Sequence, residues 1–255
     1  MSRQTALVQS VSRALDILEL LNKHQELSVS RISQTLALDK STVHRLLATL
    51  RQKGYVKQNP QTQAYSTTLK LFEMGLYSVD RKGIVRIAHP HLEHLAGKVN
   101  ETVNLAVLDG VNIVYIDKIE STAVIRADLG IGRSCPAYAT SLGKAILSHS
   151  PEDRVLKLLG NVEFSSLGPN TAKNIDEFLA QLKQVPRRGF AADDEELIEG
   201  LACIGAPILT YTREPVAAIN VAYPRYRHAK CSGEERFIIE SVMETAERIS
   251  KELGL

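Results

Sequence analysis

Apolar residues recur at helical spacing from the beginning of the chain. Val11, Ala14, Leu15, Leu18 and Leu21 share one stripe and predict an amphipathic helix ending near His24. Ser28 offers a hydroxyl cap to a second, shorter helix whose inward positions are Ile32 and Leu36. A third helix is expected after Asp39. Val43, Leu46, Leu47 and Leu50 fall on its inner face, and a turn of about 100° per residue places Ser41, Arg45, Ala48 and Gln52 on the outer one, flanked by Thr42 and His44. Gly54 ends that helix, and the β-leaning stretches Tyr55–Gln58 and Ala64–Thr68 flank the turn signal Asn59-Pro60-Gln61-Thr62. Helix, helix, turn, helix and hairpin in this order make a winged helix-turn-helix.

Leu69, Phe72, Leu76 and Val79 form a narrow stripe that runs out at Lys82-Gly83, so a linker helix is expected over Leu69–Arg81. Beyond it, Thr102–Leu108 and Val111–Lys118 flank Asp109-Gly110, a hairpin signal. Helical patterns follow at Leu142–Ser148, Glu152–Leu159, Ile175–Val185 and Glu234–Leu253, with further strands at Cys203–Leu209 and Val216–Tyr223. The fold class expected is α+β, with helices packed on an antiparallel sheet, divided as 1–68, a linker at 69–83, and 84–255.

Composition narrows the class. The 255 residues are 44% hydrophobic and 24% charged, which excludes collagen-like, low-complexity and wholly disordered chains. No apolar run approaches the roughly 18 residues of a membrane span, and Met1–Ser10 lacks the apolar centre of a secretory signal, so a cytoplasmic protein with no membrane partner is expected. Cys135, Cys203 and Cys231 are odd in number and widely spaced, which argues for reduced thiols. Charge is uneven. Seven basic residues lie between Leu27 and Lys70 against the single acid Asp39, a local +6 in a chain of net +2, so the remainder carries −4. Such a block is the electrostatic footprint of nucleic-acid binding, although a solvated surface or a protein-docking winged helix has the same charge. Within it, Ser41, Thr42, His44 and Arg45 are suited to the major groove and its adjacent phosphates, and Lys40, Arg51 and Lys57 to the backbone.

The segments QSVSRALDILELL and LSVSRISQTLALDKSTVHRLLATLRQKGYV resemble the N-terminal domain of the IclR family of bacterial transcription regulators. YSTTLKLFEMG, VYIDKIES, YATSLGKAILSH and GLACIGAPI extend the likeness over nearly the whole chain. One departure stands at Ala37, where the family usually has glycine; if the turn needs positive φ, alanine costs about 1 kcal/mol. The resemblance implies a linker helix that helps pair DNA-binding halves, and a GAF-like or profilin-like effector-binding domain. It implies a repressor that binds a double-stranded operator as a homodimer or homotetramer, since one winged helix reads too few base pairs alone. It further implies an effector pocket lined by Val124, Ala127, Ser141, Leu142, Asp193, Leu201, Cys203, Asn220 and Ala222. Asn220 and Ala222 stand where some relatives carry small hydroxyl residues. YSTTLKLFEMG, VYIDKIES and LGIGR are similar to the branch that includes the 2-keto-3-deoxygluconate regulators, which implies a sugar acid as effector, with an aromatic acid second.

Read without the family, Asp193-Asp194-Glu195-Glu196 is a solvated loop, and only the resemblance turns Asp193 inward toward a ligand hydroxyl. Thr140 and Ser141 precede an apolar helix, so the amides of Ser141, Leu142 and Gly143, with Lys144 nearby, either attract a carboxylate or are ordinarily capped. Enzyme motifs are incomplete. Gly130-Ile131-Gly132 lacks the third glycine of a dinucleotide fingerprint, Gly143-Lys144 lacks the rest of a P-loop, and there is no GxSxG elbow. His91 and His94 lie one helical turn apart, either a metal pair or a solvated face, and Cys203 sits in an apolar strand as a small hydrophobe rather than a nucleophile. No cofactor, no metal and no catalysis are expected. A metabolite-binding protein with a protein-docking winged helix, or a small-molecule enzyme, are the alternative readings.

Overall fold

Helix α1 (Gln9–Asn22) buries Ile17 and Leu21 against α2 (Val29–Leu36) and α3 (Lys40–Gln52), which contribute Ile32, Val43 and Leu47. The computed structural model describes residues 7–79, 83–123, 130–228 and 232–253 and separates into two units, Met1–Arg81 and Lys82–Leu255. In the first, the buried stripe of α1 is rotated from the expected one. Val11 and Leu15 remain 56% and 54% exposed, because the first turns of α1 face an open cavity of about 810 Å³ shared with α3 and α4 (Lys70–Val79) instead of the core. Helix α4 falls within the expected linker helix, with Leu69 and Phe72 exposed.

The Ser28 hydroxyl caps α2 by accepting from the Arg31 amide at 3.3 Å. Ala37 ends that helix at φ 52°, ψ 42°, the left-handed geometry that favours glycine. Ala37→Gly is therefore expected to stabilise the first unit by about 1 kcal/mol, raising its melting temperature by a few degrees. Thermal unfolding followed by circular dichroism checks this; an unchanged or lower midpoint contradicts it. The wing pairs β1 (Val56–Gln58) with β2 (Tyr65–Thr67), and Leu27 adds a bridge to Tyr65. Its turn is closed by Asn59, whose Oδ1 accepts the amides of Gln61 and Thr62 while Nδ2 reaches Glu26.

The second unit begins with α5 (Ile84–Val99), which the apolar pattern left unassigned apart from the His91 and His94 spacing. A six-stranded antiparallel sheet follows, ordered β5-β4-β3-β8-β7-β6, from β3 (Thr102–Asp109), β4 (Asn112–Ile119), β5 (Ser134–Pro136), β6 (Ala191–Asp194), β7 (Leu201–Leu209) and β8 (Pro215–Pro224). The Asp109-Gly110 hairpin and both later strands stand where expected; the two short edge strands were not. Four helices lie along the expected segments: α6 (Ser141–Leu147), α7 (Glu152–Leu159), α8 (Ile175–Leu182) and α10 (Gly233–Glu252). The single helix expected over Ile175–Val185 is broken. Pro186 cannot continue α8 and instead opens the short α9 (Val185–Arg188).

Alternation along β7 and β8 sorts the helices onto the two faces. On one face Tyr223 donates to Glu235 of α10, which packs with α5. On the other, α6 lies across the sheet with its first turn against Gly205, where an added Cβ would come within 3.1–3.2 Å of Ser141. A short 3-10 turn (Ala137–Ala139) leads into α6, and Gly143 sits on it so closely that a Cβ would strike the Ala137 carbonyl oxygen at 2.2 Å. These two glycines set the height of Ser141 above the strands.

Candidate functional site

Two sites emerge, one in each unit. On α3, Lys40, Ser41, His44, Arg45, Ala48 and Gln52 are exposed and Thr42 is half-buried, so every α3 residue expected to meet DNA reaches the surface. Thr42 and Arg45 also border the cavity shared with α1 and α4. Arg51 is tied to the wing, its Nη1 donating to Gln58 Oε1 at 3.0 Å, and Lys57 is exposed on β1. Lys70 is otherwise engaged. Its ammonium caps the Lys53 carbonyl at 2.7 Å and lies 4.7 Å from the Tyr55 ring centroid. The result is a short polar helix face with cations at its start, middle and end, beside a wing that carries Lys57.

In the second unit, sheet register gathers residues that the sequence leaves far apart. Asp193 pairs with Cys203 and Cys203 with Ala222, so the three share a row on the face covered by α6. Leu201, Cys203 and Ala222 form an apolar cluster there. Beside that row, Asn104 Nδ2 donates to Asn220 Oδ1 at 2.9 Å, and Asn220 Nδ2 donates to Ser141 Oγ at 3.1 Å. The Asn220 side chain thus spans from β8 to α6. Of the nine expected pocket residues, Ser141, Asp193, Leu201, Cys203, Asn220 and Ala222 are brought to this face. Leu142 is packed into the main core with Tyr138 and Ala145, and Val124 and Ala127 lie outside the described residues.

The acidic run corrects its residue-level reading. It is not a solvated loop: Asp193 and Glu196 are 2% and 6% exposed, and β6 ends at Asp194. Burial pushes the Asp193 carboxyl up to about 7, against the pull of Lys144 and the Glu196 amide, which donates to Asp193 Oδ1 at 2.8 Å. Burial also raises Glu196, whose carboxylate is held by the Lys144 ammonium, itself 3% exposed and 3.2 Å from Gln181 Oε1. Lys144 is therefore committed to this pair. Thr140 Oγ1 takes the Gly143 amide at 3.0 Å, so ordinary capping accounts for part of the expected anion site. Cys203 is buried, with its thiol pushed well above its usual range by desolvation and then by Asp193, so it holds no reactive thiolate. His91 turns to Glu252 of α10 at 3.1 Å, while His94 is exposed. Among the described residues no group of three His, Cys, Asp or Glu could hold a metal ion, and no helix is long and apolar enough to cross a membrane.

Sequence reasoning missed Asn104 and Glu196 as parts of this site. VNLAV gives no hint that Asn104 faces Asn220, since that depends on pairing two strands more than a hundred residues apart. Lys144, expected beside a site for a ligand carboxylate, is held instead by the protein's own Glu196 and by Gln181.

Residues 10–60 match the IclR helix-turn-helix domain, and residues 76–251 match the C-terminal domain of bacterial transcriptional regulators of the IclR type. The chain is 33% identical to the HTH-type transcriptional regulator KdgR of Dickeya chrysanthemi over 254 residues, covering 100% of this chain and 83% of that one. It is 33% identical to the transcriptional repressor IclR of Escherichia coli, covering 86% of this chain and 81% of the relative. The crystal structure of the Thermotoga maritima IclR superposes with a TM-score of 0.84 at 30% identity, over 98% of this chain and 100% of that one. These proteins are transcription regulators, not enzymes. Two domain matches in the order found here, and an identity of one third along the whole length, establish that the chain belongs to the IclR family of DNA-binding transcription regulators.

Proposed function

We propose that this regulator is a cytoplasmic repressor that binds a palindromic operator as a dimer or dimer of dimers and releases it when a small organic acid enters the α6 face of its second unit. A sugar acid is the first choice of effector and an aromatic acid the second. The observation that carries the effector reading is Asp193, a carboxyl 2% exposed in a row with Cys203 and Ala222 and beside the Asn220 to Ser141 ladder. A buried carboxyl on a face of small side chains is placed to accept from a ligand hydroxyl. Pairing of two copies is supported by the exposed apolar side chains Val11 and Leu15 of α1 and Phe72 of α4, which a second copy would cover. Effector control requires different affinities for two arrangements of the protein.

On the DNA side, Ser41, Thr42, His44 and Arg45 meet base edges and neighbouring phosphates, while Lys40, Arg51 and Lys57 hold the backbone. Binding to the DNA upstream of the protein's own gene, followed across about 50 to 200 mM salt with and without sugar and aromatic acids, tests the whole reading. A specific complex that outlasts random DNA at high salt and is weakened by one acid is the expected result. Absence of any DNA preference, or of any response to the acids, contradicts it. Arg45→Ala is expected to lose about 1 to 3 kcal/mol of discrimination between operator and random DNA, and Lys57→Ala to weaken both about equally. Equal losses for Arg45→Ala on both DNAs would remove it from the reading face.

A further inference from the structure

Strand register puts two more polar side chains on the effector face, and their pattern extends the effector reading on which this inference rests. Asn104 on β3 pairs with Lys118 on β4 and, on its other side, with Asn220 on β8; Asn220 pairs in turn with Gly205 on β7. Partners across antiparallel strands share a face, so Lys118, Asn104, Asn220 and Gly205 form one row under Ser141. The next row on the same face is Thr102, Ala222, Cys203 and Asp193.

Asn104 is 1% exposed, and with Nδ2 given to Asn220 its Oδ1 has no hydrogen-bond partner among the described residues. Most buried carbonyl oxygens are paired, so one left open on a ligand-facing sheet asks for a donor from outside the protein. Beside it, the Lys118 side chain is 5% exposed and its ammonium lies 3.1 Å from Glu120, a carboxylate 47% exposed at the rim. Lys144, also buried on this side, is held by Glu196 and Gln181. A covered ammonium one strand from an open acceptor matches a small acid carrying a hydroxyl a few bonds from its carboxylate.

We propose that Lys118 takes the carboxylate of the effector, displacing or sharing Glu120, and that Asn104 Oδ1 accepts its hydroxyl, which makes both residues determinants of effector specificity. Aliphatic hydroxy acids fit the one-strand spacing better than an acid with its hydroxyl across an aromatic ring. Asp193, in the neighbouring row toward the other edge, is left to the far end of the ligand.

Titration calorimetry on the full-length protein tests this with 2-keto-3-deoxygluconate, gluconate, gluconamide and 4-hydroxybenzoate as probes. Wild type is expected to bind at least one sugar acid and to prefer gluconate to gluconamide. Lys118→Gln should weaken the acid at least tenfold and abolish the preference over the amide, while Lys118→Arg retains both; thermal unfolding verifies that the variants are folded. Wild-type affinity and acid preference in Lys118→Gln overturn the assignment and leave the effector reading standing. If wild type binds none of the acids, the organic-acid reading itself falls and this one with it.

Discussion

Lys144→Met is expected to destabilise the second unit by about 3 to 5 kcal/mol, the usual result of removing one partner from a buried ion pair. Lys144 and Glu196 are 3% and 6% exposed, so the carboxylate left behind has no water to turn to. Burial has already raised its pKa with the ammonium in place, and without Lys144 it must take up a proton or pull its segment into solvent. The segment is anchored from both ends, since the Glu196 amide donates to Asp193 and the Glu196 carbonyl accepts the Thr171 hydroxyl. Loss of the pair therefore disturbs Asp193 as well. Adding Glu196→Gln to Lys144→Met should recover much of the loss, because the double variant buries no lone charge. Urea unfolding of the four proteins of this cycle measures both effects. A loss below about 1 kcal/mol in Lys144→Met would mean that the pair is effectively solvated.

What the sequence disclosed follows the range over which each feature is decided. The outer face of α3 was legible because helical period alone places Ser41, Arg45 and Gln52 opposite Val43 and Leu47. Ala37 was marked only by the resemblance to a family that usually has glycine there, and its φ of 52° shows why that position favours one. The stripe of α1 misled, since Val11 and Leu15 are apolar at helical spacing and yet left open, and pattern alone does not distinguish a core from an uncovered surface. Helix α5 was obscured by Pro90 and three histidines. The acidic run read as a loop because local charge predicts solvation, whereas Lys144, 52 positions before Glu196, supplies that carboxylate's counter-charge. Asn104, Asn220 and Ser141 meet only through register and the approach of α6 at Gly205, and neither is written in a local window.

Asp193→Asn is expected to make the second unit more stable than wild type at pH 8, with the difference between the two growing by about 3 kcal/mol as the pH rises from 5 to 8. The sign follows from the raised pKa. Burial lifts the Asp193 carboxyl from 3.8 to about 7 in the fold, so the folded chain holds this proton more tightly than the unfolded one. Its contribution is complete below about pH 4 and is lost as pH climbs through about 7, where the buried carboxylate forms. Asparagine keeps an oxygen to accept the Glu196 amide, which donates at 2.8 Å, and never acquires the charge. The same substitution should weaken the organic-acid effector and blunt DNA release, because a ligand hydroxyl would lose a carboxylate acceptor and meet an amide instead. Unfolding of both proteins across this pH range, with calorimetry of the effector at pH 7, separates the two effects. Parallel pH profiles would mean that Asp193 titrates in the fold as it does in water, while a stabilised variant with unchanged effector affinity would move the ligand away from this row. A residue whose ionisation costs the fold several kcal/mol and whose removal costs only the ligand is what a sensor site, rather than a core, is expected to contain.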